Sequence, residues 1–203
     1  MAKINMRGLN AEIAQKGYKI FKDKVTPRIE RQLRKETQKV LQAFESHPIT
    51  QELEGGVSAS NISNTLGGYG NLFTFIGFDA GSDPISPIRS LLAKSIKIVS
   101  IRKKRNVLSL QLKFSVPTRE EIEAITPSPW SSDSWVEAVE RGMSGLGRYL
   151  YSSDKNRFKT SRSGGGIEAS GEIRGPSSSS PDPYISKILA EMLGSIEASL
   201  KRL

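Results

Sequence analysis

Apolar residues recur at Ile13, Phe21, Val25, Ile29, Leu33, Val40, Leu41 and Phe44, mostly three or four apart. That spacing predicts helix from Asn10 onward, with a narrow apolar stripe and a wet remainder. Pro27 interrupts the run. It either kinks one helix or opens a second at its first position, with Thr26 as cap. The two pieces together reach roughly 50 Å at 1.5 Å per residue. Such a helix packs on a domain through one face and is also suited to lying along a neighbouring subunit. Ser46-His47-Pro48 ends the run, because the residue before a proline is pushed out of the α region. His47 is therefore expected as a solvent-exposed turn residue. Residues 49–54 fit a short helical turn before Gly55-Gly56.

The pattern then changes. Leu72-Phe73-Thr74-Phe75-Ile76-Gly77-Phe78 is one apolar block amid small, polar and Gly-rich residues, and it predicts a buried strand. Glycines 67, 68 and 70 point to positive φ or close backbone approach. A phosphate-binding P-loop needs a Lys and a hydroxyl residue directly after its glycines; here Asn71 and Leu72 follow, which argues against one. The expectation is a long ordered loop that meets neighbours in an assembly, with Leu66, Tyr69, Leu72 and Phe73 as its contact candidates. Residues 85–93 read as a short helix. From Leu108 to Val116, apolar and polar residues alternate strictly, the mark of a half-buried strand. With the β-rich stretch Ser95–Arg102 and the link Lys103-Lys104-Arg105-Asn106, this predicts a hairpin over 95–116.

Thr118 with Glu121 has the capping-box spacing and predicts a helix over 118–125. Ser132 to Arg141 is a further helix, ended by Gly142. Residues 148–151 and 167–173 read as strands, and Gly175 to Pro183 as a Ser/Pro linker. Ile185, Ile188, Leu189, Met192, Leu193, Ile196 and Leu200 form the cleanest amphipathic stripe in the chain, expected to pack on the sheet, with Asp182 as cap and Pro183 at the first position. The fold class that results is α+β. A small antiparallel sheet (the hairpin plus further strands) is flanked by a long N-terminal helix and an amphipathic C-terminal helix. The organisation is a basic helical arm over 1–45 and a single α+β domain over 46–203, with a Gly-rich loop at 55–90.

Composition narrows the chemistry. The chain has 203 residues, no Cys and one His. Disulfides, thiolate catalysis and Cys-containing zinc sites are excluded, as is any His-rich metal site or histidine relay. No apolar run reaches 18 residues and no signal-peptide h-region is visible. No cofactor is expected. Glu120, Glu121 and Glu123 cluster on a two-turn helix, which reads as an exposed acidic face, not as an acid/base or metal pair. No enzyme activity is expected.

The net charge of +9 is uneven. Residues 1–45 hold 11 Lys/Arg against 5 Asp/Glu, a surplus of 6. A second cluster is Arg102-Lys103-Lys104-Arg105 at the hairpin tip; a third is scattered over Arg148, Lys155, Arg157, Lys159 and Arg162. Excess positive charge favours nucleic acid, an acidic partner or an anionic surface. The candidates for a partner- or DNA-facing role are Arg28, Arg31, Arg34, Lys35, Lys39, Arg102, Lys103, Lys104, Arg105 and Arg162. Few aromatics interleave with them, so base stacking has little to work with. Nonspecific attraction to phosphate stays open, as does a tip that only keeps itself solvated.

Five stretches carry a family resemblance: Ser46-His47-Pro48-Ile49-Thr50-Gln51-Glu52, Thr65-Leu66-Gly67-Gly68-Tyr69-Gly70-Asn71-Leu72-Phe73, Ser134-Trp135-Val136-Glu137, Ser161-Arg162-Ser163-Gly164 and Pro183-Tyr184-Ile185. Together with the element order, they resemble the small neck and tail-completion proteins of tailed bacteriophages. Those proteins have an antiparallel sheet flanked by helices and form rings at the head–tail junction. The resemblance implies a structural virion protein, assembled in the host bacterial cytoplasm. Its partners would be further copies of itself in a ring and neighbouring virion proteins (connector, tail terminator, tube or sheath), with nonspecific contact to packaged DNA and no membrane. The alternative reading of the same charges is a free nucleic-acid-binding module that uses the basic arm and the 102–105 tip.

Overall fold

The computed structural model describes residues 6–68, 70–103, 110–129, 131–143, 149–151, 166–168 and 179–200. Helix α1 runs Met6–Ser46, 41 residues or about 60 Å. It continues through Pro27, which removes one i→i−4 bond but does not divide the helix. His47 then separates it from α2, Pro48–Glu54, and a 3-10 turn follows at Gly56–Ser58. Further on come α3 (Leu72–Ile76), α4 (Ser86–Ser95), strands β1 (Lys97–Lys103) and β2 (Leu110–Ser115), α5 (Arg119–Ala124) and α6 (Trp135–Arg141). Short strands β3 (Tyr149–Tyr151) and β4 (Gly166–Glu168) precede α7 (Tyr184–Leu200). The fold is α+β, as the patterning predicts, and predominantly helical. No helix among the described residues is long and apolar enough to cross a membrane.

The apolar block at 72–78 is helical, not a strand. Asn71 accepts a hydrogen bond from the Thr74 amide at 2.8 Å, and Gly77 closes the helix in the left-handed region at φ 94°. Leu72, Phe73, Phe75 and Ile76 are all buried. An apolar run surrounded on every side has no periodicity to distinguish helix from strand.

The hairpin forms as expected, with β1 and β2 antiparallel from Lys97↔Ser115 to Lys103↔Leu110. Its register shifts between Ile98 and Ser100. The cause is legible in β1: Ile96, Ile98, Val99 and Ile101 break alternation by one residue, and the extra one, Val99, faces solvent at 62% exposure. A second antiparallel pair joins β3 to β4, Tyr149↔Glu168 to Tyr151↔Gly166.

The core is built from helices, and the terminal helix does not pack on the sheet. Helix α7 lies along α1 and also meets α5 and α6. Its buried residues Tyr184, Ile185, Ile188, Leu189, Met192 and Ile196 join Ile29, Leu33, Val40 and Phe44 of α1 in one cluster. Of the hairpin residues whose burial is described, Ile98 and Phe114 are partly buried against it. Two strands offer too little apolar face to cover a 17-residue amphipathic helix, whereas α1 presents a matching stripe. The linker before α7 is pinned where it is described. The Ser179 amide donates to Met143 O at 2.7 Å, Ser179 Oγ accepts from the Met143 amide at 2.9 Å, and the Ser180 amide donates to Thr65 O at 2.7 Å.

Candidate functional site

Helix α1 has two opposed faces. The buried stripe is Ile29, Leu33, Glu36, Val40 and Phe44, at i, +4, +7, +11 and +15. Lys24, Arg28, Arg31, Lys35 and Lys39 repeat the same spacing five residues earlier, and all five are exposed. Five residues turn an α-helix by about 140°, so the basic stripe faces away from the core. It extends about 22 Å from Lys24 to Lys39, and Gln38 and Gln42 share its side. No acid falls within it. Arg34 flanks it and is also exposed. Among the described residues, Lys24, Arg28, Arg31, Arg34 and Lys35 form no ion pair; Lys39 reaches Glu36 Oε1 at 3.0 Å.

The stripe is held still by what lies behind it. Glu36 is 1% exposed and accepts from Ser195 Oγ (2.6 Å), Ser199 Oγ (2.9 Å), Gln32 Nε2 (2.8 Å) and Lys39 Nζ. Burial alone raises its pKa, but the hydrogen bonds from Ser195, Lys39, Ser199 and Gln32 together outweigh burial and hold the carboxyl at about 2. At the end of α1, Arg89 of α4 donates to Glu45 at 2.5 and 2.9 Å and also pairs with Glu54 of α2. The Arg89 guanidinium holds the Glu45 carboxyl below its ordinary range.

Of the other basic candidates, Arg102 and Lys103 end β1, while Lys104, Arg105 and Arg162 lie outside the described residues, as does Tyr69 of the loop set. The remaining loop candidates are corrected by the structure. Leu66, Leu72 and Phe73 are buried in the chain's own core and are not surface contacts. The loop is organised by a residue the spacing did not single out. Glu52, fully buried, accepts from Asn61 Nδ2 (2.8 and 3.1 Å), the Ser63 amide (3.0 Å) and the Leu72 amide (2.5 Å). Asn61 Oδ1 in turn takes the amides of Leu66 and Gly68 at 3.0 and 3.2 Å. The loop's inward amides are thus consumed internally and do not form a phosphate cradle. A carboxylate three residues after Ile49 and next to Leu53, on the apolar side of a short helix, was the signal available for Glu52.

His47 is not an exposed turn residue. It is half-buried, its Nδ1 accepts from the Ile49 amide at 3.3 Å as the cap of α2, and its ring lies 4.7 Å from that of Tyr184. Burial pushes its pKa below the ordinary value, partly opposed by Asp182. The acidic helix α5 lines a cleft of about 360 Å³ with α6 and the start of α7. Its charges are largely paired: Glu123 with Arg119 (2.5 Å), Glu137 with Arg141 (2.5 Å), Glu140 with the Ser186 amide and hydroxyl (2.7 and 2.8 Å), and Glu121 with its own cap, Thr118. Among the described residues, no group of three or more His, Asp or Glu is placed to hold a metal ion.

Four of the five resembling stretches converge in the core. Thr50 Oγ1 and Tyr184 Oη are 2.6 Å apart, Trp135 stacks on Tyr184 at 6.4 Å, and Glu52 binds the Leu72 amide. The fifth, 161–164, lies outside the described residues. Comparison with protein-family models, curated proteins and solved structures finds no match for the chain.

Proposed function

We propose that the chain is a non-catalytic structural subunit of a tailed-phage virion, one copy in a ring at the head–tail junction. The observation that carries the reading is the exposure of α1 ahead of its core stripe. Among the positions whose burial is described, Ile29 is the first buried one, Tyr18, Val25 and Thr26 are half-buried, and Gly17, Lys19, Ile20, Lys22 and Asp23 are exposed, with Ile20 at 58%. Most helical stability in proteins comes from tertiary packing of an apolar face, which the exposed positions lack. A neighbouring subunit that receives the arm supplies the missing packing, through the head-to-tail contact that closes a ring. The five resembling stretches support the same reading, and the internal pairing of the acidic cleft accords with a scaffold, not a catalyst.

Native mass and electron micrographs test it. The full chain is expected as a closed ring, and a form lacking residues 1–24 as a folded, smaller species. A second reading, a free nucleic-acid-binding module using the arm and the 102–105 tip, is favoured by the basic stripe. It predicts a monomer in solution that binds DNA with steep salt dependence.

A further inference from the structure

We propose that the outward face of α1 from Lys24 to Lys39 is a docking surface for the phosphate backbone of duplex nucleic acid, bound without base readout. The inference stands independently of the ring. Five cations share one helix face over about 22 Å, no acid interrupts them, and four of the five have no ion-pair partner among the described residues. Several of the described acids are already held within the chain. Glu45 and Glu54 are held by Arg89, Glu52 by loop amides, and Glu123, Glu137 and Glu140 by Arg119, Arg141 and Ser186.

The geometry selects among external polyanions. A membrane-surface helix needs an apolar face to sink into the bilayer; here Ile29, Leu33, Val40 and Phe44 are buried against α7 and the rest of the core. Residues 24–39 contain no aromatic, so nothing stacks on bases, and Lys, Arg and Gln side chains address phosphate oxygens. The stripe is pre-organised, because Glu36 clamps α1 to α7 directly behind it.

The test titrates the full chain against a short labelled DNA duplex of random sequence. With four to five phosphates neutralised, log Kd is expected to change with log salt at a slope of about 4, or roughly 10²-fold between 50 and 200 mM. Neutralising Lys24→Gln, Arg28→Gln, Arg31→Gln and Lys35→Gln together is expected to remove most of that slope, with helix content and melting temperature unchanged. The matched variant Arg102→Gln, Lys103→Gln, Lys104→Gln, Arg105→Gln is expected to keep it. The proposal is overturned if the stripe variant binds like the parent. It is equally overturned if only the hairpin variant loses binding, or if polyglutamate or phosphatidylcholine–phosphatidylserine vesicles are bound more tightly than the duplex.

Discussion

Glu36 and Glu52 are both carboxylates with almost no exposed surface, and each joins segments far apart in sequence. Glu52 ties α2 to the amides at 63 and 72 and to Asn61. A carboxylate that accepts several buried hydrogen bonds is costly to replace, because the donors are left without partners. Glu52→Ala is expected to cost about 3 kcal/mol, read as a shift in the urea midpoint at constant m; a change within error of zero contradicts the clasp. Glu36 makes a pH prediction. Its folded pKa of about 2 lies below the ordinary value of 4.5. Its contribution is therefore full above pH 4.5 and is lost as pH falls toward 2. The melting temperature should drop across that window, and Glu36→Gln should flatten the part of the drop that this residue causes. Glu36 was not legible in the sequence, since two of its partners are 159 and 163 residues away. The Thr118–Glu121 capping box was legible, because both of its bonds close within three residues.

At the scale of elements, legibility followed exposure. Where one face is wet, period alone gave the answer: α1, β2 and α7 are where their apolar spacing puts them. Where a segment is surrounded, period is silent, and α3 was read as a strand. Asn71 and Gly77 then decide the matter, as a cap at one end and a left-handed residue at the other. Removing that cap should be felt. Asn71→Ala is expected to destabilise by about 1 kcal/mol, measured by denaturant unfolding; no change would mean that core packing alone sets the helix. The bulge at Val99 follows from local pattern, whereas the continuity of α1 through Pro27 does not, since the sequence left one helix and two open.

For the whole molecule, the partner of α7 was the main departure. Its stripe predicts burial but not against what, and α1 outcompetes a two-stranded sheet as a surface. That pairing divides the N-terminal region. From Ile29 to Phe44 one face is core; of the described positions before Val25, Gly17, Lys19, Ile20, Lys22 and Asp23 are exposed and Tyr18 is half-buried. The basic candidates on α1 were visible as a charge surplus, but only the helix phase shows that five of them share one side, opposite the core. Leu66, Leu72 and Phe73 failed as loop contacts for the converse reason, since their apolar character served the chain's own interior. The basic face opposite the core and the exposed positions before Val25 are the features on which the proposed assembly role rests. The most direct test is native mass with electron micrographs on the full chain and on a form lacking residues 1–24, with far-UV circular dichroism confirming that both fold. The account predicts a closed ring for the full chain and a smaller folded species for the shortened one. Identical mass and shape for the two forms would contradict it.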